Sequence, residues 1–260
     1  MPLAPELHTF ADAQELVLAA ADLLVQLGQR AIAERNRFLV ALSGGSTPKA
    51  LYATLTSPTI ARRLDWAKVH FFFGDERCVP PEHHESNFGL AQAMLFAPLH
   101  IPPSSIHRIQ GEDLPEAAAI SYETLLRRLT ATPEEQWPVF DLVLLGMGDD
   151  GHTASLFPDT PAVSESTRWV VPSSAPQGPR SRITITLGVI NHASVILFLV
   201  TGHNKATVVQ RILEHRGDDP IPYPAALVRP EHGRLLWYLD YAAASKLTTT
   251  PPHSTSQEDP

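Results

Sequence analysis

Four short apolar runs, Phe38–Leu42, Val69–Phe73 (broken only by His70), Leu142–Leu145 and Val195–Val200, constrain this chain more than any other feature. A strand with one face in water alternates apolar and polar residues. One that is apolar throughout must be covered on both faces, as in a parallel sheet. Helical spacing follows several of the runs, at 49–55, 88–96, 120–129 and 205–213. A longer stripe through Leu16, Ala20, Leu23, Leu24, Leu27 and Ile32 precedes the first. The alternation predicts a doubly wound α/β domain with a mostly parallel sheet and helices on both faces. Ile183–Leu187 alternates Ile and Thr, the pattern of a half-exposed or edge strand, and Leu235–Leu239 reads as the last strand. No repeat or boundary divides residues 1–248, which read as a single domain. The tail 249–260, TTPPHSTSQEDP, has no apolar periodicity and is expected to be disordered.

Charge narrows the possible ligands. Lys+Arg 20 against Asp+Glu 28 gives a net charge of -8, which argues against a nucleic-acid or anionic-membrane partner. An anionic substrate would need a local basic site. The single cysteine, Cys78, excludes an intrachain disulfide and a multi-cysteine zinc site, and fits a reducing cytosol. The opening MPLAPELHTF lacks the basic and apolar regions of a leader peptide. The apolar run 195–200 is far short of the roughly 20 residues that span a bilayer. The expectation is a soluble cytoplasmic protein with no membrane contact.

Ligands of doubly wound folds bind beyond the carboxyl ends of the strands, and polar residues collect after four of them. Ser43-Gly44-Gly45-Ser46-Thr47-Pro48-Lys49 is a glycine turn into a helix, with Thr47 as a candidate N-cap and Pro48 suited to the first helical position. Free N–H groups at such a start attract phosphate, although the Walker spacing is absent. Gly74-Asp75-Glu76-Arg77 follows the second strand. Arg77 is a fork for phosphate or carboxylate, Asp75 could orient it or a substrate hydroxyl, and Ser86 or Asn87 caps the next helix. A zinc site on Cys78, His83 and His84 lacks ligand spacing.

Gly146-Met147-Gly148-Asp149-Asp150-Gly151-His152-Thr153-Ala154-Ser155 fits Gly-x-Gly-x-x-Gly after a strand, but Pro158 comes too soon for the dinucleotide helix. The acidic residue about 20 positions on is missing as well. His152, flanked by acids at a glycine-rich strand end, is the acid/base candidate. Thr201-Gly202-His203-Asn204-Lys205 offers Lys205 as a point charge for phosphate, and Arg180 and Arg182 add positive charge. No nucleophile elbow or activated cysteine appears. Pattern alone reaches a cofactor-free α/β enzyme for an anionic small molecule.

The segments 42–48, 74–77 with Ser86-Asn87, 146–158, 182–184, and Thr201-Gly202 with Lys205 resemble, in order, the 6-phosphogluconolactonase family. Asp150-Gly151-His152-Thr153-Ala154-Ser155-Leu156-Phe157-Pro158 is the most specific. The resemblance implies a Rossmann-like fold and hydrolysis of 6-phospho-D-glucono-1,5-lactone in the oxidative pentose phosphate pathway, with neither metal nor cofactor. It also implies functional coupling to glucose-6-phosphate dehydrogenase and 6-phosphogluconate dehydrogenase. Its candidate catalytic residues are His152, Arg77 and Asp75. Ser43, Gly44, Gly45, Ser46, Thr47, Gly148, Asp150, Gly151, Arg182 and Lys205 would surround the substrate.

The alternative of a glucosamine-6-phosphate deaminase is disfavoured on two counts. That family's loop reads Asp-Glu-Tyr where this chain has Asp75-Glu76-Arg77, and its assisting glutamate has no counterpart in Thr153–Pro158. A non-catalytic sugar-phosphate regulator would be expected to carry a basic helix-turn-helix ahead of the domain, and the first 35 residues read instead as one amphipathic helix.

Overall fold

The computed structural model describes residues 4–130, 132–133, 136–214 and 223–248. The tail at 249–260 lies outside the described residues.

The strands are β1 (Glu6–Phe10), β2 (Phe38–Leu42), β3 (Val69–Phe73), β4 (Asp75–Arg77), β5 (Leu142–Leu145), β6 (Val170–Ser174), β7 (Ser181–Ile185), β8 (Val195–Val200) and β9 (Arg234–Asp240). Six of them form one sheet in the order β1-β9-β8-β5-β2-β3, and every neighbouring pair is parallel. The four apolar runs are β2, β3, β5 and β8, adjacent in space. Three of the four are buried at every position, and β3 at all but His70. Successive residues of a strand point to opposite faces, so burial along the whole run means that both faces are covered.

Helix Ala13–Arg35 carries the long N-terminal stripe. Asp12 caps it by accepting from Gln14 N and Glu15 N, and Asn36 ends it in the left-handed conformation at φ 56°. It is long and apolar enough in composition to cross a membrane. Here Leu16, Ala20, Ala21 and Leu24 are instead fully buried in the core beneath the sheet.

The sequence pattern did not foresee a second sheet. After β3 the chain passes through Gly74 into β4, which joins β7 and β6 in a three-stranded antiparallel layer. Gly74 bonds both sheets: its N–H donates to Leu42 O, and its carbonyl accepts from Ile185 N. The alternating strand is therefore not an edge. β7 is the middle of this layer, and its Thr184 is fully buried. Alternation here marks two protein-covered faces, one of which uses its hydroxyls. Thr184 Oγ1 donates to Ile185 O and accepts from Ser155 N.

The order of connections fixes the site. From β2 the chain moves outward to β3, then returns to the other side of β2 to form β5. The switch point thus lies between β2 and β5, where the diverging loops leave a crevice.

Candidate active site

The loops after β2, β3, β5 and β8 meet at that crevice. A cavity of about 300 Å³ is lined by Ser43 to Pro48, Asp75, Arg77, Asn87, Gly146 to Gly148, His152, Ala154, Thr201 and Lys205, among others. A second hollow of about 420 Å³ shares Asp75, Arg77, Gly148, His152, Ala154 and Lys205 with it, and adds Asp149, Asp150, Gln177 and Arg182. The two are lobes of one cleft that meet at His152. All the sequence-predicted site residues except Gly151 line one lobe or the other.

His152 is oriented by its own loop. Its Nδ1 lies 2.5 Å from Asp150 Oδ1, and its backbone N–H donates to the same oxygen at 3.1 Å. An ionised carboxylate can only accept, so Nδ1 carries the proton and Nε2 keeps its lone pair. Phe157 packs on the ring at 4.4 Å between centroids. Gly148 makes room for the pair: a Cβ there would lie 2.6 Å from Asp150 Oδ1 and closer still to His152 Nδ1. Gly151 stands behind the loop at φ 74°, packed on Tyr223, and its carbonyl accepts from Ala225 N. It shapes the site without lining it.

The glycine turn after β2 opens helix Ser46–Leu55. Neither Thr47 nor Pro48 occupies the position expected of it: Gly45, at φ 104°, is the N-cap, and no side chain caps the helix. Thr47 Oγ1 instead bonds Thr201 Oγ1 at 2.9 Å, tying the loops after β2 and β8 together across the cleft. The first N–H groups of this helix therefore have no side-chain acceptor, and they border the smaller lobe.

On β4, Asp75 and Arg77 face the cleft while Glu76 faces the protein. Asp75 does not orient Arg77. Its Oδ2 accepts from Ser155 Oγ at 2.6 Å and its Oδ1 from Asn87 Nδ2 at 3.1 Å. Arg77 Nη1 donates to Glu85 O. Ser86 is the cap of helix Asn87–Ala91, accepting from Gly89 N. Arg182 is the cross-strand partner of Arg77. Burial, followed by the neighbouring Arg77 charge, pushes its guanidinium below the usual arginine range. The Nε of each arginine is buried with no hydrogen-bond partner among the described residues. Lys205, in a turn of 3-10 helix before Ala206–Leu213, bonds Asp149.

His83, His84 and Glu85 bring donor atoms within 4.8 Å of one another, a cluster that does not include Cys78. Arg77 already holds the Glu85 carbonyl, and Glu85 N donates to His83 Nδ1 at 3.2 Å. Sequence reasoning missed Asn87 as a cleft residue and Ser155 as the partner of Asp75. Contacts between loops distant in sequence leave no local signature.

The fold and cleft define a Rossmann-like α/β enzyme acting on a small anionic substrate. The family model described as glucosamine-6-phosphate isomerases/6-phosphogluconolactonase matches residues 11–237. The chain is 42% identical over 245 residues to the 6-phosphogluconolactonase of Homo sapiens, covering 93% of each. It is 39% identical to that of Nostoc sp., covering 91% of this chain and 96% of the relative. The structure of 6-phosphogluconolactonase from Trypanosoma cruzi superposes with a TM-score of 0.86 at 31% identity, over 96% of this chain and 99% of that one. The chain belongs to this glucosamine-6-phosphate isomerase/6-phosphogluconolactonase family.

Proposed function

We propose that the chain, through one catalytic domain, hydrolyses 6-phospho-D-glucono-1,5-lactone to 6-phospho-D-gluconate. His152 Nε2 takes a proton from water as the water attacks the lactone carbonyl. The tetrahedral oxyanion then collapses, the C1 bond to the ring oxygen breaks, and the histidinium returns the proton to that oxygen. A positioned base contributes ~10²–10⁴-fold, a sufficient gain for a lactone that already hydrolyses in water. The observation that carries this reading is His152, its Nδ1 2.5 Å from Asp150 Oδ1, at the junction of the two lobes.

The smaller lobe suits the phosphate. It offers the uncapped helix start at Gly45-Ser46-Thr47, with Arg77 and Lys205 beside it, and Asp75 is its one carboxylate. The larger lobe shares Arg77 and Lys205 with it and adds Arg182, Gln177, Asp149 and Asp150, the mixed donors and acceptors that sugar hydroxyls need. Lys205 lines both lobes, while Asp149, its partner, is 66% exposed. The reaction belongs in the cytosol, between the dehydrogenases that make the lactone and consume its product.

Mixing purified protein with freshly generated lactone tests the reading. The rate of 6-phosphogluconate formation, followed by its coupled oxidation and corrected for spontaneous hydrolysis, should scale with protein and vanish in His152→Ala. Full activity in that variant would remove histidine from the mechanism.

A further inference from the structure

β4 places two cleft residues, Asp75 and Arg77, on either side of one that never reaches the cleft. Glu76 is 2% exposed and lines neither lobe. A carboxylate buried this deeply needs full hydrogen bonding to be tolerated, and this one has it. Oε1 accepts from Arg77 N at 2.8 Å and from Asn87 N at 2.7 Å. Oε2 accepts from Phe88 N at 2.8 Å and from Ser86 Oγ at 3.1 Å. The four donors come from two separate stretches of chain, the strand and the segment that starts the next helix.

That segment also holds the other end of Arg77. Glu85 O, immediately before Ser86, accepts from the Arg77 guanidinium. Arg77 is thus fixed twice through Glu76: at its own amide directly, and at its guanidinium through the clamped 85–88 segment. The same clamp sets Asn87, whose Nδ2 spans Asp75 O at 2.9 Å and Asp75 Oδ1 at 3.1 Å.

We propose that Glu76 is a positioning residue, a buried carboxylate that aims Arg77 at the phosphate of the substrate without touching the substrate itself. It rests on the reading of Arg77 as a phosphate contact. Only a carboxylate at this position can accept from all four donors. In Glu76→Gln the amide nitrogen would face a backbone N–H on one side or the other, because neither Arg77 N nor Phe88 N can reverse its role. The clamp would open on that side.

The test uses the full-length protein, with KM and kcat for the lactone, inhibition by 6-phosphogluconate compared with gluconate, and the melting temperature. Glu76→Gln should raise KM about tenfold, the scale of one lost bond to a charged group, and weaken 6-phosphogluconate inhibition about as much. Inhibition by gluconate should stay unchanged and kcat should remain within about threefold, because His152 and Asp150 sit on another loop. Ser86→Ala, which removes one donor of the four, should shift KM the same way by a few-fold. It serves as the test if Glu76→Gln does not fold. A folded variant with a lower melting temperature but wild-type KM and inhibitor selectivity would overturn the proposal, since Glu76 would then be structural only. A wild type that hydrolyses lactone yet does not prefer 6-phosphogluconate to gluconate would refute the phosphate reading instead.

Discussion

Replacing Gly148 with alanine separates catalysis from stability more cleanly than removing the histidine does. Gly148 does not have the positive φ of Gly45, Gly151 or Gly202, so its backbone accepts a side chain without strain. The obstacle is steric and local: the new Cβ would sit 2.6 Å from Asp150 Oδ1 and nearer to His152 Nδ1. Comfortable contact needs about 3.5 Å, so the imidazole must retreat by about 1 Å or more. Both obstructing atoms are side-chain ends beside a half-open cleft, and moving them costs the fold little. The proposed base is less forgiving, because a displacement of about 1 Å can cost ~10²-fold in rate. Once the 2.5 Å bond to Asp150 is broken, nothing fixes the tautomer either. The expectation is a kcat lowered about 100-fold, with unfolding free energy within about 1 kcal/mol of wild type. Coupled lactone hydrolysis at saturating substrate, alongside urea denaturation, reads both quantities. Wild-type kcat in a folded Gly148→Ala protein would mean that the Asp150–His152 pairing does not matter to the reaction.

Two further outcomes follow from buried polar groups away from the base. Asp240 accepts from Gly202 N at 3.0 Å through both oxygens and from Ala243 N at 2.7 Å through Oδ1. Asp240→Ala should therefore lower stability by about 1–3 kcal/mol and raise KM by loosening the turn that carries Lys205; an unchanged KM in calorimetrically destabilised protein would detach that turn from substrate binding. His107, whose Nε2 lies 3.1 Å from His70 Nδ1, has its pKa lowered from 6.5 to about 4, first by burial and then by the charges of His70 and Arg128. The unfolded chain binds this proton more readily, so stability is complete above pH 6.5 and declines as the pH falls toward 4, by about 3 kcal/mol in all. Burial, and then the charge of Arg37, lowers His70 in the same sense. His107→Gln should flatten denaturation midpoints between pH 7 and 4.5, and an equally steep decline would place the acid sensitivity elsewhere.

The sequence is most legible where burial is uniform. A strand covered on both faces leaves little room for polar residues, so β2, β5 and β8, and β3 apart from His70, announce themselves residue by residue. Glycine and histidine after such strands then mark the cleft, because the switch point is a property of the topology. The three-stranded layer was hidden for the opposite reason. β4 is Asp75-Glu76-Arg77, a charged tripeptide whose strand conformation comes from pairing with β7 and from the Glu76 clamp, not from propensity. The run 183–187 carries an edge pattern because Thr184 in β7 and Thr186 just after it bond inside the protein. Thr47 reads as an N-cap by residue type, but Thr201, 154 residues away, takes its hydroxyl.

The same distinction explains how a chain of net charge -8 can receive a phosphorylated ligand. What matters to the anion is the field of uncommitted charge inside the cleft, where screening is weaker than in bulk water. Asp150 is engaged by His152, Asp75 by Ser155 and Asn87, Glu76 by four donors, and Asp149 by Lys205 and Asn204. Against them stand Arg77 and Arg182, side by side across two strands, neither paired with a carboxylate among the described residues and each with an unpartnered Nε. Two like charges brought this close repel, and that repulsion adds to burial, the larger cause, in lowering Arg182. On the proposed reading, a dianion held by Arg77 in the smaller lobe relieves this repulsion from the neighbouring Arg182, and so favours the phosphorylated substrate. A neutral lactone of the same shape gives no such relief. Selectivity for the phosphorylated substrate should therefore fall when either arginine is replaced by a neutral residue of similar length, even where the remaining hydrogen bonds are kept.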